Sequence, residues 1–321
     1  MRKKAGLLSL MLGIAVVCAT VAGSGAAQFI SIATGGTGGA YFPIGAGMAD
    51  IFNKKLTGYN SSAQTTAASK VNCIQVQEGK SDLALVLGDT LAFAYKGDAL
   101  GGFSKPLSKL RVVANLYPNT IQIVARKDSD TNSLSDLKGK KVAVGAPGSG
   151  TEINARQILE AVGMSYKDFG RTDYLSFAES VDQLKNRAID ATLISSGLPN
   201  PSVLDLAYSQ EIVVVPIEDA VAKKLMATHS FFYQTSIPKG TYRNQDAPVK
   251  SVAVPNFLIT RDDLDEKVVY ELTKAIFENL DRLVLAHAAA KEIHLASAIL
   301  GLPIPLHPGA ERFYREKKVL K

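Results

Sequence analysis

The sequence predicts an α/β protein of two lobes, each a mostly parallel sheet flanked by helices, with a ligand cleft between the lobes. Strand-like and helix-like segments alternate along most of the chain, which is typical of parallel sheets covered by helices on both faces. Two glycine-rich turns, at residues 35–39 and 145–150, each lead from a strand into a helix. They lie about a hundred residues apart, roughly one domain's length. A chain of 321 residues is long enough for two hydrophobic cores.

The first turn joins a predicted strand at Phe29–Ala33 to a helix whose apolar residues recur at helical spacing from Ile44. Its four glycines let the backbone turn sharply and let a ligand approach closely. The helix start behind them offers unpaired N–H groups and a partial positive charge, which suits a carboxylate or a phosphate. Tyr41, in the first turn of this helix, is expected either to pack in the core or to wall the pocket with its hydroxyl available.

The second turn repeats this design after a predicted strand at Lys141–Val144. Hydroxyl side chains stand at both helix starts: Thr37 in the first turn, and Ser149 and Thr151 in the second. We therefore expect each lobe to contribute one helix N-terminus to the capture of a small anionic ligand. The alternative is that both glycine turns only fit tight strand-to-helix connections.

Two further turns are predicted at the same edge of the sheets. A buried-type strand ends at Gly88-Asp89, and the strand Ala191–Ile194 ends at the turn Ser195–Pro201. Because ligands of parallel α/β sheets sit beyond the carboxyl ends of the strands, all four turns are predicted to face one cleft. Asp89 is expected either to cap the following helix or to pair with a ligand's ammonium or hydroxyl group. Asn200 is expected either to shape its turn or to contact the ligand.

Local sequence patterns predict several helices and strands outside these turns. Ser69 stands where the N-cap of a helix at residues 70–78 is expected. Tyr117-Pro118-Asn119 is predicted to separate two strands, at 111–114 and 121–125, and a long helix is predicted from about Asp263 to His287. The chain is expected to cross between lobes near Tyr117 and Ser251. One lobe then comprises residues 28–117 and 252–321 and the other residues 118–251, with boundaries good to about ten residues.

Residues 1–27 are predicted to be a cleaved signal peptide. Arg2–Lys4 give a basic start, Leu7–Val21 an apolar run, and Gly25–Ala27 a small-residue cleavage site. The run is short and interrupted by small residues, so a membrane span is disfavoured. Bulky Val17 disfavours lipid attachment at Cys18. The mature protein is therefore expected in the periplasm.

Removing the three basic residues of this segment lowers the formal charge from +6 to +3, which argues against a nucleic-acid-binding role. Cys73 becomes the only cysteine of the mature chain and is expected to be a buried, inert thiol, with an intermolecular disulfide as the alternative. A monomer is expected.

The sequence carries none of the common catalytic or cofactor motifs. Thr151 stands where a nucleotide-binding P-loop needs lysine, and Tyr41 stands where the dinucleotide fingerprint needs its third glycine. Neither zinc-protease histidine spacing nor the serine-hydrolase nucleophile turn is present. We expect no enzyme activity, cofactor or metal. The enzyme alternative needs an acid–base pair in the cleft, for which Asp89 with Glu152 is the candidate.

Several long segments together resemble one family, the TAXI group of solute receptors for TRAP transporters. The resemblance rests on six segments, the last of them near the C-terminus, and spans nearly all of the mature chain. These segments are Thr34–Tyr41, Asp82–Val86, Val142–Arg156, Tyr174–Glu179, Gly197–Pro201 and Gly301–Ala310. This chain departs from the usual family pattern at Thr66-Ala67-Ala68-Ser69, at Leu87-Gly88 and at Asn119, so the added methyl groups of Ala67 and Ala68 are expected to narrow the pocket.

The resemblance implies an extracytoplasmic receptor with the two-lobed, type II-like fold of periplasmic binding proteins. Such a receptor delivers a small carboxylate, such as glutamate, glutamine or a 2-oxoacid or hydroxyacid, to an ion-gradient-driven TRAP permease. The other alternative is a sensory or adhesion protein without transport. The full set of predicted ligand contacts, from both arguments, is Thr37, Gly38, Gly39, Ala40, Tyr41, Ser69, Asp89, Gly148, Ser149, Gly150, Thr151, Gly197 and Asn200.

Overall fold

The computed structural model describes residues 27–321, so the predicted signal peptide lies outside the described residues except for Ala27. The described chain has the predicted α/β architecture, with strands and helices alternating through most of its length. The strands are β1 (Gln28–Ala33), β2 (Tyr59–Gln64), β3 (Leu83–Leu87), β4 (Leu110–Arg126), β5 (Lys141–Ala143), β6 (Arg171–Asp173), β7 (Ala191–Ser196), β8 (Ile212–Val215), β9 (Tyr233–Ile237) and β10 (Val249–Arg261). The α-helices are α1 (Tyr41–Lys55), α2 (Ser69–Gln77), α3 (Gly88–Lys96), α4 (Gly150–Ala161), α5 (Phe177–Lys185), α6 (Pro201–Ser209), α7 (Asp219–Thr228), α8 (Glu266–Phe277), α9 (Leu280–Ala286) and α10 (Pro308–Glu316).

The strands form one continuous mixed sheet in the order β2-β1-β3-β10-β4-β7-β5-β6, with β8 on β4 and β9 on β10. The group β2-β1-β3 is parallel, and so is the group β7-β5-β6. Strands β4 and β10 lie between these groups and pair antiparallel with each other and with their neighbours. Each group of parallel strands therefore belongs to one half of the molecule, and β4 and β10 connect the halves.

Two main hydrophobic cores lie on either side of this connection. The first combines residues from both ends of the chain, such as Ile30, Ile44 and Phe313. The second is built chiefly from the middle of the chain and includes Ile123 and Ile158. Strand β10 contributes to both cores, since Val252 and Val254 pack in the second and Leu258 in the first. The molecule thus has two lobes, as predicted.

The predicted strand break at Tyr117-Pro118-Asn119 is wrong, because β4 runs through all three residues. A proline normally interrupts a central strand because it lacks the N–H donor for the hydrogen-bond ladder. Here Pro118 lies opposite Pro255 of β10, at a register irregularity of the ladder. Hydrogen-bonded pairing continues on both sides of the two prolines, so the missing N–H donors affect only this one residue pair of the ladder.

Two other local predictions need correction. Ser69 is the first residue of α2 and Ala68 is its N-cap; the Ser69 hydroxyl instead accepts a hydrogen bond from Leu87 N at 3.1 Å. The predicted long helix is divided into α8 and α9 at Asn279, whose φ of −138° is not helical. The Asn279 side chain donates to Ala275 O at 2.8 Å, the competition with backbone hydrogen bonding that makes asparagine a poor interior helix residue.

Cys73 is a free thiol and fully buried, and burial raises its pKa above the usual range. A buried, protonated thiol is a poor nucleophile. Among residues 27–321, no helix has the length and apolar character needed to cross a membrane.

Candidate functional site

A cavity of about 370 Å³ lies between the two lobes. Its walls come from the loops that follow β1, β2, β5 and β6 and from the last residues of β3 and β7, which is where the carboxyl ends of the parallel strands were predicted to meet. The lining residues are 35–41, 65–69, Leu87, Ala146, 149–151, 176–178 and 195–196.

In the described part of the chain, four helix N-termini meet at this cavity, two from each lobe. Helices α1 and α2 of the first lobe begin at Tyr41 and Ser69, and helices α4 and α5 of the second begin at Gly150 and Phe177; all four residues line the cavity. The first N–H groups of a helix have no partner within the helix, and its N-terminus carries a partial positive charge. The sequence predicted two such termini, and the structure brings four together.

Serine caps leave the outermost N–H groups of α4 and α5 available. Ser149 accepts a hydrogen bond from Glu152 N at 3.2 Å, and Ser176 forms a capping box with Glu179. In both cases the cap satisfies the third N–H group of the helix. Gly150 and Phe177, the residues that carry the outermost N–H groups of these two helices, both line the cavity.

Helix α2 begins at a strained residue. Ala68 has φ of 71° and ψ of −148°, a backbone conformation that is essentially restricted to glycine. Hydrogen bonds on both sides hold it there: Ala68 N donates to Thr66 Oγ1 at 2.9 Å, and Asn72 N donates to Ala68 O at 3.0 Å. Asn72 is itself buried and bonded to Thr34 O at 2.7 Å. The network therefore maintains a costly conformation directly at the cavity wall.

Replacing Ala68 by glycine should stabilise the protein. Relief of the strained conformation is expected to contribute about 1–3 kcal/mol. The extra flexibility of glycine in the unfolded chain offsets about 0.4–1 kcal/mol of this gain. A net increase of about 1 kcal/mol in the free energy of unfolding, measured by urea denaturation, is expected. Ala67→Gly is the matched control: Ala67 has no positive φ, so the same substitution there should lower stability. Equal effects at both positions would contradict the strain at Ala68.

Polar side chains complete the walls. The Tyr41 hydroxyl accepts a hydrogen bond from Asn119 Nδ2 at 3.0 Å, and burial raises the Tyr41 pKa above the usual range, so the phenol stays neutral. Ala40 N donates to Ser196 Oγ at 3.4 Å, a bond between the lobes. Thr151 is 5% exposed, and its hydroxyl makes no hydrogen bond within the described part of the chain. A ligand in the cavity can use this hydroxyl.

Glycines lie at two close contacts between the lobes. Ser202 N and Ser202 Oγ, from α6, both donate to Gly38 O across the cleft, at 3.3 and 3.0 Å. A Cβ atom at Gly38 would overlap Ser202 Oγ and lie 3.1 Å from Ala178 N. A Cβ atom at Gly150 would lie 2.5 Å from Leu87 Cδ1 in the opposite lobe. These glycines therefore permit the closed arrangement of the lobes as well as the turns.

Of the thirteen residues predicted to contact ligand, the structure brings nine to the cavity wall. They are Thr37, Gly38, Gly39, Ala40, Tyr41, Ser69, Ser149, Gly150 and Thr151.

The structure places the other four behind or beside the wall. Asp89 is fully buried and accepts a hydrogen bond from Asn154 Nδ2 at 2.6 Å, across the lobes. Asn200 is the N-cap of α6 and accepts from Val203 N at 3.1 Å. A Cβ atom at Gly197 would meet Tyr117 and Ala289, and Gly148 needs its φ of 76° for the turn.

The candidate acid–base pair is not assembled in the cavity. Neither Asp89 nor Glu152 is a lining residue. Glu152 accepts hydrogen bonds from Arg156 Nε at 2.9 Å and from the Tyr166 hydroxyl at 2.9 Å, on the outer side of α4. The two carboxyl groups thus serve separate hydrogen-bond networks.

Sequence reasoning placed Ser69 of α2 among the ligand contacts but did not predict the start of that helix as an anion site, and it missed the N-terminus of α5. The Ser176-x-x-Glu179 spacing was the available signal for α5, because it is a capping-box pattern. The wall residues outside the predicted set are Gly35, Gly36, Thr65–Ala68, Leu87, Ala146, Ser176–Ala178, Ser195 and Ser196.

Comparison with known proteins agrees with this architecture. A sequence model of the NMT1-like family matches residues 32–317. The chain belongs to the NMT1-like family. This match extends over both lobes and all four helix termini of the cavity.

Solved structures similar to this NMT1-like protein share its fold at low sequence identity. The alkanesulfonate-binding protein SsuA from Xanthomonas axonopodis pv. citri, bound to MOPS, has a TM-score of 0.51 and 13% identity, over 92% of this chain and 95% of that one. A putative L-cystine ABC transporter protein from Listeria monocytogenes has a TM-score of 0.51 and 17% identity, over 83% and 98%. A binding-protein component of an ABC phosphonate transporter from Pseudomonas aeruginosa has a TM-score of 0.51 and 15% identity, over 83% and 80%. The predicted two-lobed fold of periplasmic binding proteins is thereby confirmed.

Proposed function

We propose that this NMT1-like protein is an extracytoplasmic solute-binding protein that captures a small organic anion between its lobes. The observation that carries this proposal is the convergence of four helix N-termini, two from each lobe, on one cavity that residues 27–321 line without a charged side chain. Helix N-termini bind anions through free N–H groups and the helix dipole. A cavity of about 370 Å³ is of the size that holds a small molecule.

Binding is coupled to closure of the lobes because the donors come from both of them. A ligand stabilises the closed state only through contacts that the open state lacks. An anion that bridges α1 and α2 on one side and α4 and α5 on the other makes such contacts. The direct bonds of Gly38 O with Ser202 then add to the closed state. Closure by hinge motion around a bound solute follows.

The solute and the transporter are the finer parts of the proposal. The resemblance to the TAXI group supports a carboxylate and a TRAP permease. The similar structures are named for sulfonate, cystine and phosphonate, and two of them for ABC systems. All of these solutes are acids, so the anion is the feature that they share. We retain the TRAP permease as the proposed partner, which uptake experiments can test: loss of uptake on collapse of the ion gradient but not on ATP depletion would support it.

The proposal also includes export through the signal peptide at residues 1–27. The mature protein then acts in the periplasm as a monomer. No catalytic step is included, because Asp89 and Glu152 serve separate networks outside the cavity.

Native mass spectrometry of the purified protein, before and after denaturation and refolding, tests this function. We expect a small acid of low mass to be retained and then lost on refolding. The stripped protein should gain thermal stability with at least one acid from a panel, because a ligand that binds only the native state stabilises it by mass action. No retained solute, together with no stabilisation by any acid, would remove the support for an anion-binding function.

A further inference from the structure

We infer that the cavity selects organic acids that carry no ammonium group, and that it discriminates against amino acids. This inference rests on the proposed function and assigns the class of solute within it. Its basis is the balance of hydrogen-bond donors and acceptors in the walls, which are rich in donors and lack a partner for a cation.

No charged side chain lines the cavity among the described residues. The three carboxylates closest in sequence to the wall are all engaged elsewhere. Asp89 is buried and bonded to Asn154 and Thr90, Glu152 is bonded to Arg156, and Glu179 accepts from Ser176 N at 2.8 Å. An ammonium group in the cavity would therefore find no carboxylate to pair with.

Four backbone carbonyls of the cavity wall also have donors already. Gly36 O accepts from Gly39 N, and Gly38 O accepts from both Ser202 N and Ser202 Oγ. Ala146 O accepts from Ser149 N at 3.0 Å, and Ser196 O accepts from Gln122 Nε2 at 3.3 Å. An ammonium group would have to compete for these oxygens, because it donates three hydrogen bonds and accepts none.

In contrast, the cavity walls offer hydrogen-bond donors to an anion. The free N–H groups at the starts of four helices are joined by the hydroxyl of Thr151, a residue that is 5% exposed and whose hydroxyl has no partner within residues 27–321. The rest of the wall includes the apolar groups of Leu87, Phe177 and Ala178. An ammonium group in these surroundings faces four positive helix ends and loses its hydration without an ion-pair partner. An acid with an uncharged short body fits both features.

Isothermal titration of the refolded full chain with matched pairs of ligands tests this inference. Each pair keeps the acid and the carbon chain and differs by the amine: 2-oxoglutarate and glutarate with glutamate, lactate and pyruvate with alanine, and propanesulfonate with 3-aminopropanesulfonate. For every pair that binds, the amine-free member should bind at least about tenfold more tightly, since an unpaired buried charge costs more than the 1.4 kcal/mol of one tenfold step. An amine-bearing member that binds as tightly as its partner, or more tightly, overturns the inference and leaves the proposed function in place.

A charge-introducing variant supplies a second readout. Thr65 lines the cavity and is exposed, so its side chain can be enlarged at the rim. Thr65→Glu should reduce the preference for the amine-free member by roughly fivefold or more, because it provides the missing carboxylate. Thr65→Gln has the same size without the charge and should keep the preference. An unchanged preference in Thr65→Glu counts against the inference. Absence of binding in every pair, with no solute retained after purification, counts instead against the proposed function.

Discussion

Asp89→Asn should stabilise the protein at neutral pH and leave its stability nearly unchanged near pH 4. Asp89 is fully buried, and burial raises its pKa from 3.8 to about 6 despite hydrogen bonds from Thr90 and Asn154. No cationic side chain hydrogen-bonds it within the described residues. A shift of this size corresponds to about 3 kcal/mol between the charged and neutral forms, which is the largest single effect that we expect.

The direction of the pH dependence follows from proton binding. Between pH 4 and 6 the folded protein holds a proton on Asp89 that the unfolded chain has largely released. The Asp89 contribution to stability is therefore greatest near pH 4 and declines as the pH rises through about 6. Burial raises the pKa values of Tyr41 and Cys73, and the nearby Asp89 carboxylate raises both further, so both groups stay neutral in this range.

Urea denaturation of wild type and Asp89→Asn at several pH values between 4 and 8 measures this effect. The stability difference between the two proteins should widen as the pH rises. Asn154→Asp is an informative companion, since it places a second carboxylate against Asp89 and should steepen the pH dependence. A constant difference between wild type and Asp89→Asn at all pH values would contradict a raised Asp89 pKa.

Gly38→Ala should weaken solute binding by tenfold or more while the lobes themselves stay folded. A methyl group at this position overlaps Ser202 Oγ and presses on Ala178 N, both in the opposite lobe. Overpacking of this kind costs about 1–3 kcal/mol, and here the cost falls on the closed state alone. Titration with the solute identified by mass spectrometry gives the change in affinity, and small-angle scattering with ligand reports whether the protein still becomes compact.

Gly36→Ala is the matched control for Gly38→Ala. It adds the same methyl group to the same turn, but the nearest atom across the cleft, Ser176 Cβ, would be 3.9 Å away, an ordinary contact distance. Its loss of affinity should be clearly smaller. Equal losses at both positions would indicate that the turn conformation, rather than the approach of the lobes, controls binding.

The sequence was sufficient for the elements that local patterns specify. The glycine turns before α1 and α4 and the hydroxyl residues Thr37, Ser149 and Thr151 all lie where strand-to-helix periodicity placed them. The pairing of Pro118 with Pro255 was not visible, because these residues are far apart in the chain and only the paired strands reveal why a proline is tolerated.

The composition of the cavity walls could not be predicted fully from local sequence patterns either. The meeting of α5 with α1 depends on how the lobes close, which no local pattern encodes. Gly197 and Asn200 lie in a turn that looked like a binding turn, yet Asn200 is occupied in capping α6 and Gly197 in packing against Tyr117. A turn at the correct edge of a sheet is therefore necessary for ligand contact but not sufficient.

The division of the first core between residues near both ends of the chain has a consequence for synthesis and for the export proposed above. Ile30 and Ile44 pack in the same core as Phe313 and Tyr314 of α10, whereas the second core draws chiefly on residues from the middle of the chain. A chain that crosses a membrane from its N-terminus delivers the second lobe as one uninterrupted piece, which can fold as soon as it emerges. The first core is complete only when α10 arrives. Under the export proposed above, the interval between these two events is when the chain is most exposed to proteases and to aggregation.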